Sequence, residues 1–142
     1  MKIVYLSSSV FPSRSANSIH VMKMCQALAK NGHKVVLLAP DDKANYEPDI
    51  KDLYSYYGVD CSFKVLKLAW FPIRGRSVFY SLIAALKARR LDPDIVYCRN
   101  NIGLVFSVIL RLPVIFETHT PFVNESRLLD WIVKICFNSR SV

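Results

Sequence analysis

Apolar positions along the chain fall into two alternating patterns, short unbroken runs and longer stretches of helical period. The first run, Lys2–Ser7 (KIVYLS), is β-branched and aromatic and stops at serines, as a strand buried on both faces does. An irregular loop follows, Ser8 to Ser15, with Pro12 inside it. Val21, Cys25, Leu28 and Ala29 then recur at helical spacing and predict a helix from Asn17 to Asn31. Gly32 stands just past its end, where a left-handed cap favours glycine. Lys34–Ala39 (KVVLLA) reads as a second buried strand stopped by Pro40. Tyr46–Tyr57 reads as a helix closed by Gly58. In Ser62–Ala69, Lys64 and Lys67 interrupt Phe63, Val65, Leu66 and Leu68, which suits a third strand near a sheet edge. Val78, Leu82, Ala85 and Leu86 supply an apolar face to the next predicted helix, Ser77–Leu91. The turn Leu91-Asp92-Pro93-Asp94 leads to a fourth strand, Ile95–Cys98, and a helix over Asn101–Leu110. A fifth strand, Val114–Glu117, and a last helix, Ser126–Phe137, complete the pattern.

Strand and helix alternate throughout, so the fold class is α/β: a doubly wound, Rossmann-like parallel sheet of about five strands with helices on both faces. The expected strand order is 3-2-1-4-5. The chain reads as a single domain over residues 1–142, without internal repeats or a low-complexity linker. Its last residues, FNSRSV, fall where the alternation would next supply a strand, so the unit is expected to be incomplete at its C-terminus.

Composition supports a packed domain. Of 142 residues 52% are hydrophobic and 21% charged, enough apolar surface for a core and outside the range of disordered chains. The longest apolar runs, Ile102–Leu110 and Val78–Leu86, fall short of the roughly 20 residues of a membrane span. The N-terminus lacks the 7–15-residue apolar region, in round terms, of a signal peptide. Cys25, Cys61, Cys98 and Cys136 form no CxxC pair and sit among apolar residues, which predicts free thiols in a reducing cytoplasm. The net charge of +8 is unevenly spread. Between Cys61 and Leu91 stand Lys64, Lys67, Arg74, Arg76, Lys87, Arg89 and Arg90 with no acid, whereas Asp41–Asp60 is acidic. Such a face is either simply solvated or meets anions: phosphate, nucleic acid or acidic lipid.

Ligands of open α/β sheets bind beyond the carboxyl ends of the strands. Those ends are Ser7-Ser8-Ser9, Pro40-Asp41-Asp42, Arg99-Asn100-Asn101 and Thr118-His119-Thr120. No GxGxxG follows strand 1 and no GxxxxGK[ST] occurs, which argues against nicotinamide enzymes and P-loop ATPases. There is no HExxH, no paired-cysteine cluster and no hydrolase nucleophile elbow. What remains is the start of the first long helix, SRSANSIHVMKM, where Asn17 and Ser18 can cap the helix or hydrogen-bond a ligand. The other candidate is the stretch PVIFETHTPF, which passes from buried strand to carboxylate, hydroxyls and imidazole.

The opening MKIVYLSSSVFPSRSANSIHVMKMCQALAKNGHKVVLLAP, with PDIVYCRN, PVIFETHTP and RLLDWIVKICFNSRSV in order after it, resembles the family 4 glycosyltransferases. That resemblance implies the N-terminal, acceptor-side half of a GT-B architecture. The activity it implies is retaining transfer of a sugar from a nucleotide-diphosphate donor to a glycan or lipid-linked acceptor, with no metal or other cofactor. It also implies a catalytic role for His119 and substrate-binding roles for Asn17, Ser18, Arg99, Asn100 and Thr120. Many members carry a Gly-Gly pair where this chain has Ala16-Asn17-Ser18; the added Cβ atoms limit the approach of a donor phosphate. The family's second lobe, which binds the nucleotide-sugar through a basic pair and a Glu-x7-Glu motif, has no counterpart here. The chain alone is therefore expected to be inactive without that lobe or a partner chain. The alternative is a non-catalytic anion-binding Rossmann-like module, or a truncated relic, acting with a partner. Trp70, Phe71, Phe79 and Tyr80 lie among the basic residues, which predicts peripheral contact with an anionic membrane at its inner face. No nucleic-acid recognition motif appears, and His20 and His33 read as structural.

Overall fold

The computed structural model describes residues 1–117. Five parallel strands, β1 (Lys2–Leu6), β2 (Lys34–Pro40), β3 (Lys64–Leu68), β4 (Ile95–Cys98) and β5 (Val114–Phe116), form one sheet in the order β3-β2-β1-β4-β5. This is the order expected from the alternation. Val4 pairs in register with Val36 on one side and Val96 on the other. The strands are joined through α1 (Ala16–Lys30), a short α2 (Leu53–Tyr57), α3 (Arg76–Arg90) and α4 (Asn101–Ile109). The predicted helix Ser126–Phe137, together with His119, Thr120 and Cys136, lies outside the described residues.

Alternation along the strands builds two cores. On one face Ile3, Tyr5, Val35, Leu37 and Ala39 pack with Val21, Met22 and Cys25 of α1 and Tyr57 of α2. On the other, Val4, Leu6, Leu38, Val96 and Cys98 pack with Tyr80, Ala84 and Ala88 of α3 and Leu104 of α4. β1 and β2 therefore read as continuous apolar runs because both faces are covered.

Four local expectations are corrected. The helix expected over 46–57 is only α2, preceded by a single 3-10 turn at Lys43–Asn45. Pro48 lacks the N–H that a helix interior needs, and Asp49 adopts φ 63. Asp52 caps what remains and Gly58 closes it in the left-handed region. The cap of α1 is Ser15, earlier than Asn17 or Ser18; its hydroxyl accepts from the Ser18 N–H at 3.1 Å. α3 is rotated from its expected face. It buries Tyr80, Ser81, Ala84, Ala85 and Ala88, and leaves Val78, Phe79, Leu82 and Leu86 exposed. Small residues let α3 approach the sheet and α4 closely; the larger apolar ones would hold it off. Cys61 is exposed, unlike the buried Cys25 and Cys98.

Candidate functional site

β1 lies between β2 and β4, so the topological switch point opens between the carboxyl ends of β1 and β4. Two groups of side chains meet there, one on each face of the sheet.

The first is charged. Tyr97 and Arg99 leave the end of β4, Glu117 follows β5, and His20 comes from the second turn of α1. The Glu117 N–H donates to the Cys98 carbonyl at 2.9 Å, tying the carboxylate to β4. Its Oε2 accepts from the Tyr97 hydroxyl at 3.0 Å and lies 3.5 Å from Arg99 Nε. Its Oε1 lies 3.4 Å from His20 Nε2. The Arg99 side chain is only 13% exposed, and its buried Nη1 has no hydrogen-bond partner among the described residues. A largely buried guanidinium is held by a facing carboxylate, and here the described residues leave one donor nitrogen over. Tyr97 stacks on Tyr5 at 4.9 Å between ring centroids. Burial, reinforced by the bond to Glu117 and the carboxylate charge, pushes the Tyr97 phenol up to about 12. Tyr97 is thus a neutral donor that helps hold Glu117 in place.

The second group is a pocket of about 290 Å³ on the opposite face, between the loop after β1, the entry to α3 and the start of α4. Ser8, Trp70, Ser77, Tyr80, Ser81 and Asn100 are among its walls. Tyr80 is buried, and its hydroxyl donates toward the Ser7 carbonyl at 2.5 Å and the Leu38 carbonyl at 3.1 Å. It thereby pins the end of β1 to α3. The Asn100 side chain caps α4 through the Gly103 N–H. Larger hollows of about 540 and 460 Å³ lie at the amino ends of the strands, away from these groups.

The expected site residues divide accordingly. Arg99 and Asn100 stand side by side at the switch point. Asn17, exposed in the first turn of α1, donates from Nδ2 to Ser9 Oγ at 2.6 Å and so braces the loop after β1. Ser18 is fully buried, and its hydroxyl donates toward the Ser13 and Ser15 carbonyls at 2.8 Å each. That geometry fastens the helix start and leaves the hydroxyl facing away from solvent. His119 and Thr120, which lie outside the described residues, follow Glu117 directly in sequence after Thr118.

Sequence reasoning read His20 as structural, set Trp70 and Tyr80 at a membrane face although Tyr80 is buried, and did not name Tyr97 or Ser81. His20 had a signal: the first turns of a helix that follows β1 overhang the carboxyl end of the sheet. Among the described residues no three His, Cys, Asp or Glu side chains gather in a metal-binding group. No helix among them is long and apolar enough to cross a membrane.

This doubly wound sheet with polar groups at its switch point is a Rossmann-like unit. Two solved structures share it. One is the glycosyltransferase SnogD from Streptomyces nogalater, 15% identical with a TM-score of 0.53; the match covers 97% of this chain and 38% of that one. The other is the spinosyn rhamnosyltransferase SpnG, 17% identical with a TM-score of 0.52; it covers 97% of this chain and 41% of that one. The chain thus spans about two fifths of the length of either. Residues 18–141 match the model of Glycosyltransferase Family 4, and the chain belongs to that family. No curated protein sequence matches it.

Proposed function

We propose that this chain is the acceptor-side lobe of a retaining glycosyltransferase, which moves a sugar from a nucleotide-diphosphate donor to a glycan or lipid-linked acceptor. The observation that carries the reading is Arg99: a guanidinium only 13% exposed at the switch point, facing Glu117, with a buried donor nitrogen that no described residue satisfies. Unsatisfied buried donors are rare and call for a reason; a ligand anion or sugar hydroxyl arriving at the strand ends is a fitting one. Glu117 anchors the start of the segment that carries Thr118, His119 and Thr120. In the proposed enzyme the His119 imidazole orients a donor-sugar hydroxyl and stabilises charge developing in an oxocarbenium-like transition state. Arg99 and Asn100 orient the substrate, and Asn17 holds the loop that borders it. Thr120 contributes a further hydroxyl. The donor diphosphate is neutralised by cationic groups, without a metal, on a second lobe in the same polypeptide or a partner chain. The lobe alone turns over no donor.

The test uses the full-length protein that contains this chain and measures donor consumption across a panel of nucleotide-sugars, with and without acceptor glycans. One or more donors should be consumed, and His119→Ala should lower kcat by about 100-fold or more. Unchanged turnover in His119→Ala would remove that residue's role. Failure to consume any donor would favour a non-catalytic anion-binding module.

A further inference from the structure

At the amino ends of the strands, away from the switch point, lies the hollow of about 460 Å³. Strand register explains its place. Lys2 of β1 pairs with Lys34 of β2, but β3 joins β2 only at Val36, opposite Lys64. Lys34 and Val35 therefore have no β3 residue beside them, and both line the hollow. Val36, Phe63 and the Tyr54 ring complete an apolar wall. The Tyr54 hydroxyl donates to the Phe63 carbonyl at 2.7 Å and fixes the lead-in to β3. Around this wall stand three lysines, each the first residue of its strand: Lys2, Lys34 and Lys64. The Lys2 ammonium is engaged by the Leu91 carbonyl. Lys34 and Lys64 are exposed, and among the described residues neither forms an ion pair. The acids nearby in sequence are committed elsewhere: Asp60 pairs with Lys30 at 2.9 Å, and Asp52 caps α2. An apolar concavity on which a few charged groups converge has the form of a small-molecule site.

We infer that this hollow is a second ligand site, which takes a small amphipathic anion: an apolar body carrying one carboxylate. The body packs on Val35, Val36, Phe63 and the Tyr54 ring, and the carboxylate accepts hydrogen bonds from the Lys34 and Lys64 ammonium groups. Each half of the ligand answers one half of the site. A wholly hydrophilic anion gains nothing from the apolar wall, a neutral body leaves both lysines unpaired, and a cationic one is repelled by them. A second copy of the chain would bring like lysines together in a molecule of net charge +8; a carboxylate complements them. The site is separate from the switch point. β2 is seven residues long, so the two ends of the sheet stand about 20 Å apart. A ligand here touches neither Arg99 nor Glu117, and the inference goes beyond the transferase reading.

Cys61 supplies the readout, because its exposed thiol lines the same hollow and an occupant shields it. The full chain is alkylated with N-ethylmaleimide at fixed pH and ionic strength while octanoate is titrated, and the rate at Cys61 is followed by peptide mass spectrometry. Octanoate should slow the alkylation saturably, by about fivefold or more. Acetate, a head without a body, and octanol, a body without a head, should each slow it less than about twofold at the same concentrations. In Lys34→Gln with Lys64→Gln, the octanoate concentration for half protection should rise about tenfold or more. Both lysines are exposed, so far-UV circular dichroism should be unchanged. Comparing each protein with and without octanoate removes the effect of the lysines on the thiol's own reactivity. The acetate and octanol arms use the unaltered chain and report even if the variant fails to fold. Three results would overturn the inference: no saturable protection by octanoate, equal protection by acetate or octanol, or unchanged half protection in the folded variant. None of these readouts involves turnover, so failure here leaves the transferase reading to its own test.

Discussion

Gly103 offers a sharp test of how the start of α4 is built. It lies in the first turn, and its N–H is the group that the Asn100 side chain caps. Alanine at this position sets two effects against each other. Within a helix, alanine is favoured over glycine by about 0.8–1 kcal/mol. The added Cβ, however, would stand 2.7 Å from Asn100 Oδ1, 3.0 Å from its Nδ2 and 3.0 Å from Cys98 Sγ. All three are inside van der Waals contact. Cys98 is fully buried in the core and has little room to yield. Asn100 can retreat only by abandoning the cap, worth about 1 kcal/mol. Shifting packed neighbours adds about 1–3 kcal/mol. The losses outweigh the gain, so Gly103→Ala should be less stable by about 1–3 kcal/mol. Urea denaturation followed by circular dichroism measures this as a lowered midpoint at unchanged slope. In an Asn100→Ala background the closest contact disappears, and Gly103→Ala should be milder than in the parent. A Gly103→Ala protein more stable than the parent, or an identical effect in both backgrounds, would refute the reasoning.

Tyr80→Phe removes the hydroxyl that reaches the Ser7 and Leu38 carbonyls. Leu38 keeps the Ser7 N–H at 3.0 Å, so the loss falls on Ser7 and should be about 1–3 kcal/mol; an unchanged urea midpoint would contradict it. Maleimide labelling of the native chain, mapped by mass spectrometry, should modify exposed Cys61 rapidly while Cys25 and Cys98 stay protected until denaturant is added. Burial holds the Cys98 thiol up, from its ordinary 9.0 to about 12. The folded state therefore keeps a proton that the unfolded chain gives up. The associated stability is complete below about pH 9 and is lost as pH rises toward about 12. Urea midpoints should fall over that window, and Cys98→Ala should flatten the fall; an equal slope in the variant would show that Cys98 contributes nothing.

The elements were legible because their signals are local. KIVYLS, KVVLLA and DIVYC are runs that only a doubly covered parallel sheet accommodates, and alternation with helical stretches left few ways to order the strands. The misread segment at 46–57 also failed for a local reason: Pro48 and Asp49 outweigh a helical pattern of aromatics. Arg99 and Asn100 could be named in advance because strand ends are where open sheets bind ligands. Glu117 was one of two partners that position left open to Arg99, the other being a ligand phosphate; that His20 and Tyr97 join the pair could not be named, because the four come from three separate segments of chain.

The order and kind of the elements were thus written in the pattern of residues by itself, since hydrogen-bonding period and apolar alternation act between near neighbours. The face that α3 buries, and the meeting of an arginine, a glutamate, a tyrosine and a histidine at one switch point, were decided only in three dimensions. How closely α3 can approach the sheet and α4, and which charge ends opposite which, depend on distances between residues far apart in the chain. No local period encodes them.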